Sequence, residues 1–450
     1  MSDETTKDSG GLNRAEFLKR GGAAVGGVVL GGLAAQPAWA RPRGPEAFDA
    51  ASTIKVGFVS PLTGPAAGFG EPDPYVTGLA RTAFAKGLKI GGKTYGVQII
   101  AKDSQSVPAT AAQVAQQLIS GSQIDLMLAT STPEVVNPVA DAAEAGGVPC
   151  ISTTVPWEAW YFGRGAKPGA PSPFKWTYHF AFGVQNFADT YLDLWKQVPN
   201  NKKVGVMWPN DADGNAIRAS LGPLLQKAGY TIVDPGAYQD GTNDYTSQIT
   251  QFKAQNCQIF NTFPIPPDFT TFWRQAAQQG YTKMVKIAQI AKTGLFASQV
   301  DAVGSLGYNL ASAEYWGPTW PYSSSLTGIT SAQLGADYTK HTNRYPNQQA
   351  GATLALFDVA AAALKASGNP KDKTKVANAM KTLKVQTPLG LLHWGAGGAK
   401  NPVPNVVATP IPGNQWRKAP KGSKFGLQLV ICEHADDHKI PVSSKLVAYG

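Results

Sequence analysis

Short apolar segments alternate with amphipathic helical segments along this chain, and the series runs twice. The apolar segments are short enough for buried strands and end at turn residues, as at 54–64, where a Val-Gly-Phe-Val run meets Ser-Pro and Thr-Gly. This order predicts parallel sheets covered by helices on both faces. Because 450 residues are too many for one ordinary core, we expect an α/β fold of two Rossmann-like lobes. The predicted strands are 54–60, 95–103, 125–129 and 148–152, then 203–208, 230–233, 258–263 and 284–288.

The C-terminal part of the chain has too few segments for a third lobe. Two helical segments and two strand segments must join the earlier units, so the chain is expected to cross between the lobes more than once. Several crossings build a hinge of several strands. These late segments are 353–367, 372–383, 387–394 and 425–432, and the predicted lobes are 53–180 with 317–386, and 181–316 with 387–450.

The first 40 residues have the pattern of an export signal. A basic segment precedes a short Gly/Ala-rich apolar run and an Ala-x-Ala site at 38–40. Residues 13–19 resemble a twin-arginine motif, but Ala15 stands in place of its second arginine, so the twin-arginine and general routes both stay open. The first cysteine is Cys150, so the signal has no lipid-acceptor cysteine. We expect a soluble periplasmic protein, cleaved near Ala40.

Charge and cysteine content exclude some classes of function. The net charge is +10, but lysines and arginines are scattered without a run of five, which argues against nucleic acid binding. Cys150, Cys257 and Cys432 share no metal or redox spacing. Cys150 and Cys257 lie in or beside apolar strands and are expected to be buried free thiols, with one disulfide as the alternative.

Several short motifs resemble the leucine/isoleucine/valine-binding family of periplasmic solute-binding proteins. They are Ser60-Pro-Leu-Thr-Gly64 with Gly70, Ala145-Gly-Gly-Val-Pro149, Ala276 to Gly280, and Gly390 with Trp394. The resemblance spans 54–450 and implies a two-lobe receptor of the type I fold. It also implies a monomer without cofactor that closes on a small solute and delivers it to an ABC transporter permease in the inner membrane.

Hydroxyl-bearing residues follow two predicted strands of the first lobe, where loops face the crevice. Thr130, Ser131 and Thr132 precede a helix that begins at Pro133. Hydroxyls and free N–H groups at a helix N-terminus favour a carboxylate, although Ser131 or Thr132 would also serve as N-cap. The resemblance implies that Thr130 binds the ligand carboxylate and that Phe69 covers the ligand. The candidates of this lobe are Phe69, Thr130, Ser131, Thr132, Thr153, Thr154 and Trp157.

The second lobe lacks an acidic residue that the resemblance leads one to expect. Amino-acid-binding members of the family hold the ligand ammonium with an acid in the last cleft loop, but 284–297 contains neither Asp nor Glu. Gln289 and Lys292 stand there instead. Asp213 either takes over the ammonium or caps the following helix. The candidates of this lobe are Asp213, Ile265, Gln289, Lys292 and Trp316.

Aromatic residues are dense near both groups of candidates. Trp157 begins the segment 157–162, and Trp316 lies in 315–321. Such rings either pack a long loop against its own lobe or contact the ligand.

Enzyme motifs are weak. The sequence has no nucleophile elbow, dinucleotide fingerprint or phosphate loop after the signal. His434 and His438 would share a helix face, but their context predicts a solvated loop. We therefore expect no enzymatic activity and no metal, and a small carboxylate or amide-like solute rather than a free α-amino acid. The alternatives are an exported α/β hydrolase and the ligand-sensing subunit of a signalling system.

Overall fold

The computed structural model describes residues 49, 51–263, 266–434 and 436–450. The expected export signal, 1–40, and the candidate Ile265 lie outside these residues. No helix in the described part is both long enough and apolar enough to cross a bilayer.

Sixteen strands are found in the described residues. The first eight are β1 (Thr53–Ser60), β2 (Leu88–Ile90), β3 (Lys93–Asp103), β4 (Leu126–Thr130), β5 (Cys150–Thr153), β6 (Thr177–Phe180), β7 (Lys203–Met207) and β8 (Thr231–Val233). The others are β9 (Ile259–Thr262), β10 (Ile287–Ile290), β11 (Ala311–Ala313), β12 (Lys384–Thr387), β13 (Gly390–His393), β14 (Val406–Val407), β15 (Gly413–Lys418) and β16 (Leu427–Ile431).

Thirteen α-helices are found in the described residues. They are α1 (Ala67–Gly70), α2 (Asp73–Phe84), α3 (Pro108–Gln116), α4 (Pro133–Ala145), α5 (Trp157–Tyr161), α6 (Val184–Trp195) and α7 (Ala212–Lys227). The later ones are α8 (Thr246–Ala254), α9 (Pro266–Gln278), α10 (Ala297–Asp301), α11 (Ser331–Thr342), α12 (Gln349–Ala366) and α13 (Lys373–Met380).

Two seven-stranded sheets confirm the predicted α/β class. The first has the order β14-β6-β5-β4-β1-β3-β2, and the second has the order β16-β15-β11-β10-β9-β7-β8. Neighbours from β14 to β3 pair in parallel, as do those from β11 to β8. The edge strands β2 and β16 pair antiparallel with their neighbours, and β15 pairs antiparallel with both β11 and β16.

The alternation of side chains along β1 explains why helices cover both faces of the first sheet. Val56 and Phe58 are buried against α12, while Val59 belongs to the core on the opposite face, with α3 and α4. Strand residues two apart share a face, so an uninterrupted apolar strand must be covered twice. Helix α12 is buried along nearly its whole length.

The C-terminal segments differ from the prediction in their pairing. The segment expected to be one strand at 387–394 belongs to a hairpin of β12 and β13, with Gly390 at φ 98° after the turn. Val406 of β14 pairs with His179 of β6, so this part of the expected second lobe lies in the first sheet. The chain passes between the sheets at 180–203, at 313–349 and at 407–413, rather than near 387 for the third passage. The lobe boundaries themselves stay a prediction.

The cysteines are unpaired. Cys150, Cys257 and Cys432 are all buried and free, which confirms the expectation for the first two. Burial raises the pKa of Cys150 to about 12, so this thiol is not reactive at neutral pH.

Candidate ligand-binding site

A cavity lies beyond the carboxyl ends of the parallel strands of both sheets. It contains about 510 Å³ of empty space, including the part that opens to solvent. Loops that follow β4, β5 and β6 line it from the first sheet, and loops that follow β7, β9 and β10 line it from the second. Its apolar and aromatic lining is Phe69, Pro133, Val155, Pro156, Phe182, Phe187, Tyr191, Phe263, Ala291, Leu295, Ala313, Tyr315 and Ile411.

The structure separates the predicted residues into two groups. Those that line the cavity are Phe69, Ser131, Thr132, Thr154, Asp213 and Lys292. Those that do not are Thr130, Thr153, Trp157, Gln289 and Trp316. Ile265 lies outside the described residues.

The loop after β4 presents unused hydrogen-bonding groups to the cavity. Ser131 has φ 125°, a strained value for a residue with a Cβ, and its buried hydroxyl has no partner in the described part of the chain. Thr132 is the N-cap of α4, yet its side chain makes no capping hydrogen bond. The N-capping alternative is therefore not realised. Pro133 has no N–H, and those of Val135 and Val136 donate to the carbonyl oxygen of Thr132. The two hydroxyls and the N–H of Glu134 therefore stay available to an acceptor.

Thr130 is occupied by other side chains. Gln349, at the start of α12, donates from Nε2 to Thr130 Oγ1 at 2.5 Å. Thr130 Oγ1 lies 3.0 Å from Thr154 Oγ1, and Thr154 donates to Gln349 Oε1 at 3.3 Å. Tyr315 also donates to Gln349 Oε1, at 3.1 Å. This ring of polar groups, here called the Gln349 network, holds the loops behind the cavity, so Thr130 supports the wall rather than lining it.

His179 fixes the loop after β5. Its Nε2 lies 2.8 Å from the carbonyl oxygen of Val155, which can only accept, so Nε2 carries the proton. Ser152 then donates to Nδ1 at 2.8 Å. Burial lowers the pKa of His179 to about 3, which keeps the ring neutral. The neighbouring Thr154 has φ 81°, so a buried, neutral histidine helps to hold a strained loop at the cavity.

The other off-cavity candidates pack within the protein. Thr153 donates to the carbonyl of Phe180 at 2.6 Å. The Trp316 indole is buried and donates to Ser331 at 3.1 Å, and Trp157 packs on Phe162. These contacts agree with the packing alternative for the two tryptophans.

Gln289 lies inside β10 and not in the loop after it. The predicted strand ended at 288, but residues 281–283 form a 3₁₀ turn and the strand begins only at Ile287. Gln289 is fully buried, and neither atom of its amide has a partner in the described part of the chain. On the next strand, Asn261 accepts from Trp208 Nε1 at 2.9 Å. These polar side chains belong to the interior of the second sheet.

Lys292 forms a buried ion cluster with two carboxylates. Its Nζ lies 3.0 Å from Asp211 Oδ2 and 3.0 Å from Asp213 Oδ2, with all three side chains at most 8% exposed. Asp211, and not Asp213, caps α7, because its Oδ1 accepts from Gly214 N at 2.6 Å. Sequence reasoning missed Asp211, although an Asp at N-cap before a helix was a usable signal.

Burial and the neighbouring charges shift the pKa values of this cluster in opposite directions. Burial opposes the charge on Lys292, but the carboxylates of Asp213 and Asp211 outweigh it and raise the Lys292 pKa well above its usual value. Burial raises the pKa of Asp213, and Lys292 opposes that rise. Two carboxylates thus share one ammonium, and Glu134 of α4 acts on the same groups. The cluster is short of positive charge.

His434 and His438 are the two histidines whose spacing resembles a metal site, although the sequence predicts a solvated loop there. Their rings lie 5.0 Å apart, and His434 Nδ1 lies 2.5 Å from the carbonyl oxygen of Ile440. Across the described ranges, no group of three His, Cys, Asp or Glu side chains is placed to hold a metal ion.

Comparisons with known proteins agree with this geometry. The sequence model of the periplasmic binding protein family matches residues 53–406. A Leu/Ile/Val-binding protein homologue of Brucella melitensis biotype 1 is 23% identical over 348 residues, 77% of this chain and 88% of that protein.

Solved structures share the fold at low sequence identity. An ABC transporter solute-binding protein of R. palustris in complex with 4-hydroxybenzoate has a TM-score of 0.68 and 18% identity, covering 86% of this chain and 98% of that one. The branched-chain amino acid transporter substrate-binding protein of Streptococcus pneumoniae, in complex with isoleucine, has a TM-score of 0.63 and 18% identity, covering 84% and 99%.

Proposed function

Because the chain belongs to the periplasmic binding protein family, we propose that it is the solute-binding component of an ABC uptake transporter. It works outside the cytoplasm, as a monomer, and delivers its solute to a permease in the inner membrane. The observation that carries this proposal is the cavity itself, because loops of both sheets line one space with aromatic walls and few polar groups.

The solute is a small aromatic or apolar carboxylate, or an amide-like equivalent. Ser131 and Thr132 offer hydroxyls, and the N-terminus of α4 offers the N–H of Glu134 and a positive dipole end, which together suit a carboxylate. Phe182, Phe263 and Tyr315 offer flat surfaces to a ring. The related fold that holds 4-hydroxybenzoate supports this class.

A branched-chain amino acid is the second candidate. The relative named for leucine, isoleucine and valine favours it, as does the related fold that holds isoleucine. An amino acid would need a partner for its ammonium, and the described residues of the last cleft loop supply Lys292 rather than an acid.

Isothermal titration calorimetry separates these candidates. The purified protein is titrated with benzoate, 4-hydroxybenzoate, leucine and isoleucine. We expect an aromatic acid to bind, and Ser131→Ala to weaken its binding by about 10- to 100-fold, the loss of a hydrogen bond to a charged group. Ser120→Ala, on an exposed residue, is the control and leaves affinity unchanged. Tight binding of leucine that Ser131→Ala does not alter would contradict both the class and the place of the carboxylate.

No enzymatic step is part of the proposed function. The solute recovered after incubation with the protein is expected to be chemically unchanged. Steady product formation by the pure protein, lost in His434→Ala, would favour the hydrolase alternative. A sensing role is separated from transport by whether deletion of the gene abolishes uptake of the solute by cells.

A further inference from the structure

Asp213 places a buried carboxylate oxygen at the cavity without a partner. Its side chain is 6% exposed and lines the cavity. Lys292 engages Oδ2, whereas Oδ1 makes no hydrogen bond in the described residues. A buried carboxylate oxygen left without a donor costs free energy, so this arrangement calls for a donor that the described residues do not supply.

Lys292 cannot act as that donor without giving up an existing partner. Its Nζ is held at 3.0 Å by both Asp211 and Asp213, and Asp211 is fixed in turn as the cap of α7. The two ion pairs fix Asp213 in place and direct its second oxygen away from the lysine. The position of Oδ1 is therefore built by the surrounding structure, and it does not depend on a mobile side chain.

The surroundings of Asp213 are electronegative. Asp211 and Asp213 share one ammonium, and Glu134 faces them from the first turn of α4, with its own buried Oε1 unpartnered within the described chain. Such a region attracts a hydrogen-bond donor or a cation and repels an anion. A carboxylate on the solute is therefore expected to stay at Ser131 and Thr132, with its donor group at Asp213.

We propose that Asp213 is a specificity-determining residue whose Oδ1 accepts a hydrogen bond from a donor group on the solute. This inference rests on the proposed function, since it takes the solute to be an aromatic acid held between Phe182, Phe263 and Tyr315. The solute then carries a hydroxyl or a protonated amine in addition to its carboxylate. Benzoate without such a group binds weakly, because it leaves Oδ1 buried and unpaired.

Calorimetry with matched probes tests this assignment. The probes are benzoate, its 2-, 3- and 4-hydroxy derivatives, 4-methoxybenzoate and phenylalanine, titrated into the wild-type protein, Asp213→Ala, Asp213→Asn and Asp240→Asn. Asp240 is an exposed acid near the same cluster that does not line the cavity, so it controls for loss of charge alone. Thermal unfolding of each variant checks that it is folded; Asp213→Asn keeps the side-chain shape if Asp213→Ala does not fold.

We expect at least one hydroxybenzoate to bind the wild-type protein tenfold or more tightly than benzoate and 4-methoxybenzoate. Asp213→Ala removes this preference, Asp213→Asn reduces it, and Asp240→Asn keeps it. If phenylalanine instead binds more tightly than benzoate and loses this advantage in Asp213→Ala, Asp213 accepts a hydrogen bond from the ammonium and the assignment stands.

Two other outcomes overturn the proposal in different ways. If benzoate and its hydroxy derivatives bind equally well, with or without Asp213, the role of Asp213 is wrong while the aromatic-acid site stands. If none of the probes binds the wild-type protein, the aromatic-acid class is wrong and the Asp213 assignment falls with it.

Discussion

The two walls of the cavity are built from different chemistry. The wall from the first sheet is neutral: Ser131 and Thr154 have strained backbones, and the Gln349 network and His179 hold their loops. The wall from the second sheet is ionic and centres on Lys292. The neutral wall offers donors, the N–H and hydroxyl groups, whereas the ionic wall offers an acceptor at Asp213. This difference fits the proposed solute, which carries an acceptor at one end and a donor at the other.

Removal of Lys292 from the ionic wall should cause the largest loss of unfolding free energy. Lys292→Met leaves two buried carboxylates without their ammonium, and breaking a buried pair from one side costs about 3–5 kcal/mol of unfolding free energy. Urea unfolding measures the loss. The control is Lys196→Met, whose exposed pair with Asp193 should contribute less than about 1 kcal/mol. A loss below that of the control would show that the cluster does not stabilise this wall.

Removal of Gln349 from the neutral wall should lower the unfolding free energy less than removal of Lys292 does. Gln349→Leu leaves the hydroxyls of Thr130 and Thr154 without their amide partner, which costs about 1–3 kcal/mol of unfolding free energy for buried polar groups. Solute affinity should fall too, because Thr154 lines the cavity. Gln113→Leu, on an exposed helix position, is the control. Unchanged stability with unchanged affinity would contradict a supporting role for the network.

The sequence predicts which loops form the two walls better than it predicts the contacts within each wall. Strand ends are local features, so the loops that carry Ser131, Thr154 and Lys292 could be assigned to the cleft. A side chain's direction depends on where its strand ends to within one residue. Thr130 is the last residue of β4 and Gln289 lies within β10, and neither side chain lines the cavity.

Contacts between distant segments could not be predicted at all. Gln349 reaches Thr130 across 219 positions, and the pairing of β14 with β6 joins Val406 to His179, which are even farther apart along the chain. The Lys292 cluster depends on Asp211, 81 positions away. No periodicity or local motif encodes such distances, since tertiary packing alone brings these residues together.

The neutral wall also contains a buried acid that should make stability depend on pH. Asp73 joins the Gln349 network through Thr353, which donates to it at 2.6 Å, and burial raises the Asp73 pKa to about 7. The folded protein then binds a proton that the unfolded chain has lost between pH 4 and 7, so this group lowers stability as the pH rises across that range. Asp73→Asn should flatten this fall in unfolding free energy, by about 1.4 kcal/mol for each pKa unit that separates the folded Asp73 from an unfolded aspartate.

Urea unfolding at pH 4, 5, 6 and 7 measures this slope. The control is Asp193→Asn, at an exposed acid, which should leave the slope as in the wild-type protein. An equal slope in the Asp73 variant would assign the pH dependence to the other buried acids, such as Glu314, whose pKa burial also raises to about 7.

The smallest expected effect concerns an aromatic contact that joins the two walls. Phe69 meets Phe296 edge to face with ring centroids 5.0 Å apart, and both rings are buried. Phe296 does not line the cavity, so its loss removes a contact between the walls but none with the solute. Phe296→Ala should therefore weaken solute binding by about 0.5–1.5 kcal/mol, the worth of an aromatic pair, and should do so through faster dissociation. Stopped-flow dissociation measures this, with exposed Leu62→Ala as the control. An unchanged dissociation rate would mean that the walls hold the solute without this pair, each through its own polar groups.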